Sequence, residues 1–88
     1  MISHIDKEKI LELAKKYEVS QVVLFGSAAI RDDFRDIDLG VVGLKPELFF
    51  QFYGEAIMQL SKPIDLIDMD KNSSFVDLVR KDGMRIYG

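Results

Sequence analysis

Leu24-Phe25-Gly26-Ser27, a connector of small and then charged residues from Ala28 to Arg35, and Asp36-Ile37-Asp38-Leu39-Gly40-Val41-Val42 make up the stretch that decides the fold. In an extended strand, side chains at i and i+2 leave on the same face. Ile37, Leu39 and Val41 can therefore face a core while Asp36 and Asp38 converge on one point. Two like charges so placed repel, and a divalent metal held by hard oxygen ligands is the usual means of keeping them together. Upstream, Val19 to Phe25 is a β-branched and aromatic run with almost no polar residue, which predicts a strand buried on both faces. Gly26-Ser27 ends that strand. Ala28 to Arg35 suits a turn or short helix, and Asp36 to Val42 forms a second strand that stops at Gly43.

Outward from this centre, Ile10, Leu13, Ala14 and Tyr17 recur at i, i+3, i+4 and i+7 among lysines and glutamates, the pattern of an amphipathic helix. Ser3 or Asp6 caps it. Pro46 opens a later helix, where its missing N–H does no harm, and that helix runs to about Leu60. Pro63 precedes a third strand, Ile64 to Met69, with Asp65, Ile67 and Met69 on one face and Leu66 and Asp68 on the other. Asn72, Ser73 or Ser74 caps a last helix carrying Phe75, Leu78 and Val79, and Gly83 suits its C′ position. Met84 to Tyr87 adds an edge strand. With no repeat or linker, residues 1–88 form one α/β unit.

Eighty-eight residues suffice for one domain and one core, burying about 60 to 65% of the surface the unfolded chain exposes. Hydrophobic residues make up 48% and charged residues 31%, and 12 basic against 15 acidic side chains give a net charge of −3. That balance argues against direct nucleic-acid binding, which needs a dense basic surface. Cysteine is absent, which excludes disulfides and thiolate metal sites and fits a reducing cytoplasm. The amino terminus lacks a signal-peptide pattern, and no apolar run approaches the roughly 18 residues of a membrane span. The expectation is a cytoplasmic protein.

Leu24-Phe25-Gly26-Ser27, then Asp36-Ile37-Asp38-Leu39, then Pro63-Ile64-Asp65-Leu66-Ile67 resembles the minimal nucleotidyltransferases of the DNA polymerase β superfamily, small antitoxin-like proteins abbreviated MNT. The resemblance covers nearly the whole chain, including the first helix and the Asp-Gly-Met-Arg-Ile-Tyr ending. It implies an α/β (α+β) fold, a small mixed sheet flanked by helices. It also implies transfer of a nucleoside monophosphate, AMP from ATP, onto a hydroxyl of a partner protein with release of pyrophosphate. Asp36 and Asp38 would hold two Mg²⁺ ions, and Asp65 would complete the nucleophile-side site and help remove the acceptor proton. Gly26 would let the backbone approach the triphosphate, with Ser27 and the amides of the following turn donating to phosphate oxygens and Arg31 or Arg35 adding charge. The partner implied is a HEPN-type helical toxin.

Plainer roles compete with these. Acidic pairs near a strand end are often solvated or cap a turn; Asp65 and Asp68 cannot face the same way, and Asp65 is the favoured ligand. Gly26 and Ser27 also suit a turn and a helix cap, Arg31 and Arg35 an exposed loop, His4 a frayed terminus, and Tyr17, Tyr53 and Tyr87 packing with hydrated hydroxyls. In the helix after Pro46, seven apolar side chains from Phe49 to Leu60 spread over an arc of roughly 160°, wider than one core-facing stripe needs. Part of it is expected to remain exposed, as a partner or self-association surface. Against the family pattern Gly-Ser-x-Ala-Arg-Gly, Ile30 stands at the arginine, Arg31 at the second glycine, Arg35 at the serine before the first aspartate, and the loop is about two residues shorter. Two readings follow: an active Mg²⁺-dependent nucleotidyltransferase, or a non-catalytic antitoxin-like module that neutralises its partner by contact. A phosphoacceptor receiver domain is disfavoured because the chain is too short for its repeated strand-helix units.

Overall fold

The computed structural model describes residues 1–88. Helix α1 (His4–Lys16) is capped by Ser3, whose hydroxyl accepts from the Asp6 N–H. Asp6, the other cap candidate, is buried and accepts from the N–H and hydroxyl of Ser61 instead, tying the start of α1 to the chain beyond a later helix. Strand β1 spans Gln21–Phe25 and begins later than Val19, because Glu18 turns the chain with φ 56° and Val19 and Ser20 complete that turn. Ala28 to Ile30 belong to a single helical turn, α2 (Ser27–Ile30), and β2 covers Ile37–Val42. Asp36 thus stands one residue ahead of its strand.

The predicted Pro46-to-Leu60 helix is divided. Pro46–Leu48 forms a 3₁₀ turn and α3 covers Phe49–Gln59. Strand β3 (Ile64–Asp68), helix α4 (Ser74–Asp82) and strand β4 (Met84–Tyr87) follow. Ser73 caps α4 by accepting from the Val76 N–H. Gly83 ends the helix with φ −75°, not in the left-handed conformation expected of it. Space explains the glycine there, since a Cβ would crowd the Val23 side chain and the Val79 carbonyl.

The four strands form one mixed sheet in the order β3-β2-β1-β4. β1 runs antiparallel to both β2 and β4, and β2 runs parallel to β3. One face of the sheet carries Val22, Leu24, Ile37, Leu39, Val41, Ile64 and Leu66, packed beneath α1 and α3 with Ile10, Leu13, Tyr17, Phe52 and Ala56. The rings of Tyr17 and Phe52 meet edge to face at 5.3 Å and join the two helices. The opposite face carries Val23 and Met69 beneath Val76 and Val79 of α4. Gly40 leaves room there for Met69, whose sulfur would overlap any Cβ at that position. α4 packs over β1 on this face, and Asp65 on the edge strand β3 stays exposed. No helix is long and apolar enough to cross a membrane.

Candidate active site

Alternation along β2 sends Ile37, Leu39 and Val41 into the larger core and leaves Asp38 on the opposite face. The same parity in β3 buries Ile64 and Leu66 and turns Asp65 out on the Asp38 face. Asp38 and Asp65 are register partners across the parallel pair, and Phe25 is the register partner of Asp38 across the antiparallel one. Phe25, Asp38 and Asp65 therefore form a straight row over three strands, each about 4.8 Å from the next. Asp36, exposed, sits at the rim of this row. Asp68 lies on the other parity, where it accepts from the Asp70 N–H in the turn after β3.

Burial, and then the charges of Asp65 and Asp36, push the Asp38 carboxyl above its ordinary range. None of these three aspartates takes part in a salt bridge. They do not close into a coordination sphere, and no three acidic side chains surround a common point. Their chemistry nonetheless suits a divalent cation: the donors are hard carboxylate oxygens, the like charges are uncompensated, and a bound cation would offset the repulsion that adds to burial in raising Asp38.

Gly26 has φ +70°, and a Cβ on it would overlap the Asp38 carboxylate. Its role in the structure is to let Asp38 lie against the bend between β1 and α2. Beside it, Ser27, Arg31, Asp33, Phe34, Arg35, Asp36 and Asp38 line an open recess of about 490 Å³. A larger recess of about 630 Å³, between the 3₁₀ turn, β3 and α4, includes Phe50, Leu66 and Asp68 but none of the three candidate carboxylates. The smaller recess is the chemically relevant one, because its lining alternates carboxylates, guanidinium groups and a hydroxyl.

Arg31 is engaged within the loop, donating to both carboxylate oxygens of Asp33 at 2.9 and 3.0 Å. That contact holds the Asp33 carboxyl below its ordinary range. The amino-terminal ammonium pairs with Asp32 and donates to the Arg31 carbonyl, both at 2.6 Å. His4 faces Glu8 one turn along α1, with both side chains exposed. The Tyr17 hydroxyl donates to Glu55 and that of Tyr53 to the Ile64 carbonyl, so neither hydroxyl relies on water as the sequence reading expected.

Lys62 is a contributor that sequence reasoning missed. Its ammonium donates to the Phe34 carbonyl at 2.7 Å and sits 4.0 Å from the centre of the buried Phe34 ring, anchoring the loop that carries Arg35 and Asp36. No periodicity marks a lone lysine before Pro63; the only clue is its place at the entrance to the strand that holds Asp65.

A family model described as "Polymerase beta, Nucleotidyltransferase" matches residues 8–88. Among curated proteins, none matches the chain. Among solved structures, the chain resembles the MntA–HepT toxin–antitoxin, with 21% identity over 98% of this chain and 73% of that one and a TM-score of 0.75. It also resembles a toxin–antitoxin with AMP-PNP, with 23% identity, coverage of 93% and 73%, and a TM-score of 0.78. A third is a tri-AMPylated Shewanella oneidensis HEPN toxin in complex with MNT antitoxin, with 22% identity, coverage of 94% and 70%, and a TM-score of 0.73. At these identities the likeness is one of fold.

Proposed function

We propose a function from the premise that this chain belongs to the polymerase β nucleotidyltransferase family: it transfers AMP from ATP, with Mg²⁺, onto a hydroxyl of a HEPN-type helical toxin and acts as that toxin's antitoxin. The observation that carries this reading is the in-register placement of Asp38 beside Asp65, with Asp36 at the rim and Gly26 giving way to the Asp38 carboxylate. The solved relatives support the rest, since one contains AMP-PNP and another an AMPylated HEPN toxin with MNT antitoxin.

Asp36, Asp38 and Asp65 would hold the Mg²⁺ ions. Bound there, Mg²⁺ supplies positive charge to the phosphates and makes the acceptor hydroxyl easier to deprotonate. Ser27 donates its hydroxyl to a phosphate oxygen at the mouth of the recess. Arg31 exchanges Asp33 for the triphosphate, and Arg35, which also lines the recess, adds charge to the same anion. Asp65 accepts the acceptor proton as that oxygen bonds to the α-phosphorus; the bond from the α-phosphorus to the bridging oxygen breaks and pyrophosphate leaves. The partner's contact surface is the exposed stripe of Phe50, Ile57 and Met58 on α3.

A second reading is neutralisation by contact alone, favoured by the bidentate Arg31–Asp33 pair and by Ile30, which projects into solvent where a cation would serve phosphate. Incubating the chain with labelled ATP, Mg²⁺ and the product of the neighbouring reading frame separates the two. Label on the partner that disappears with Asp38→Ala is the expected outcome. A partner neutralised equally well by the Asp38→Ala variant removes the case for catalysis.

A further inference from the structure

The packing of α4 leaves an aromatic surface unexplained. Val76 and Val79 are the side chains the helix buries against the sheet, and Phe75 lies at one border of that stripe. At the opposite border Arg80 donates to the Met69 carbonyl and lines a recess with Gln21, Val23 and Arg85, toward the end of the sheet away from the aspartates. Phe75 leans the other way. Its ring meets that of Phe25 at 5.9 Å, near edge to face, and Phe25 is the register neighbour of Asp38. Phe75 is 51% exposed and the adjoining Leu78 is 54% exposed, so about half of an aromatic side chain faces solvent beside the carboxylate row.

We propose that Phe75, braced by Phe25, is the stacking shelf for the nucleobase of the nucleoside triphosphate. The inference rests on the reading of the aspartates as a nucleotidyl-transfer site. The triphosphate would occupy the recess of Ser27, Arg31 and Arg35, on the α2 side of Asp38. With the α-phosphate at the carboxylates, the nucleoside lies over the sheet face that carries them, where Phe75, packed on Phe25 at the β1 end of the row, is an exposed aromatic ring. Stacking uses the π-face common to all bases. Phe25, Phe75 and Leu78 carry no hydrogen-bonding group, so the shelf selects by ring area: purine over pyrimidine, without a preference between adenine and guanine.

The test is binding, measured by calorimetry in Mg²⁺ buffer with ATP, GTP, CTP and inorganic tripolyphosphate. Phe75→Leu keeps apolar volume against Phe25 and removes the π-face; Phe75→Trp restores a larger one. The unaltered chain is expected to bind ATP and GTP alike and both more tightly than CTP. Phe75→Leu is expected to weaken ATP and GTP by roughly tenfold, abolish the advantage over CTP and leave tripolyphosphate unchanged, with Phe75→Trp recovering the loss. Equal ATP affinity in the unaltered and Phe75→Leu chains, while tripolyphosphate binds, overturns the shelf and leaves the transfer site standing. Failure of both ATP and tripolyphosphate to bind the unaltered chain overturns both.

Discussion

At Gly26 the chain takes φ +70° with the Asp38 carboxylate lying against its Cα, so two separate demands fall on one residue. The left-handed backbone disfavours a side chain by about 1–2 kcal/mol, and the contact with Asp38 excludes even a methyl group. The family resemblance implies that this glycine lets the backbone approach a triphosphate; in the structure the atoms nearest its Cβ position belong to a carboxylate of the candidate metal site. Gly26→Ala is therefore expected to lower stability by about 2–3 kcal/mol and to swing Asp38 out of line with Asp65. Denaturant unfolding measures the first effect. The second appears as lost transfer to the partner even at temperatures where circular dichroism shows the variant folded. A variant that is only less stable, with full activity per folded molecule, would show that Asp38 does not need its present position.

Among elements, the loop from Arg31 to Asp36 is the one whose shape depends most on a distant residue. Phe34 is buried, and its carbonyl and ring are both held by Lys62 from the approach to β3, where the Ile37 N–H also meets the Pro63 carbonyl. The first aspartate and the third are thereby fixed to each other at the entrance of the β2–β3 pair. Lys62→Met keeps the apolar stem but loses the charge-assisted hydrogen bond, a change of about 1–2 kcal/mol. The expected result is faster amide exchange at Phe34 to Asp36 and weaker Mg²⁺ binding, with recovery in Lys62→Arg; unchanged exchange there would refute the anchor. Much of this element structure is legible in the sequence, because alternation pairs Asp36 with Asp38 and separates Asp65 from Asp68, and helical spacing locates α1; only the family resemblance joins Asp65 to the first pair. What escaped was tertiary. Nothing local reveals that Lys62 caps Phe34, that Asp6 serves Ser61 in place of its own helix, or that Phe75 reaches Phe25. Strand ends also shifted, at Val19 and Asp36, where a turn overrode β-propensity.

For the molecule as a whole, the aspartate row is a liability in folding and an asset only with a cation present. Asp38 is raised above the ordinary carboxyl value of 3.8 by burial first and by Asp65 and Asp36 next. The folded chain therefore keeps the Asp38 proton to higher pH than the unfolded chain does, so stability falls as pH rises from 3.8 to the raised value and remains lower above it. Asp38→Asn removes that charge with little change in shape. At neutral pH it is expected to stabilise the metal-free protein, by at most about 1 kcal/mol because solvent screens a partly exposed group, and the gain should vanish below the ordinary carboxyl range. Adding Mg²⁺ with ATP should reverse the ranking. A ligand that binds only the folded state at a hundred times its Kd contributes about 2.7 kcal/mol, equivalent to a rise in Tm of roughly 10–20 °C for a domain this small. The unaltered chain should show that rise and Asp38→Asn should lose most of it. Thermal melts of both proteins, with and without Mg²⁺ and ATP at neutral and acid pH, test the whole scheme. A variant no more stable than the unaltered chain without ligand, or stabilised equally by Mg²⁺ and ATP, would show that Asp38 is neither strained by its neighbours nor needed for the metal–nucleotide complex.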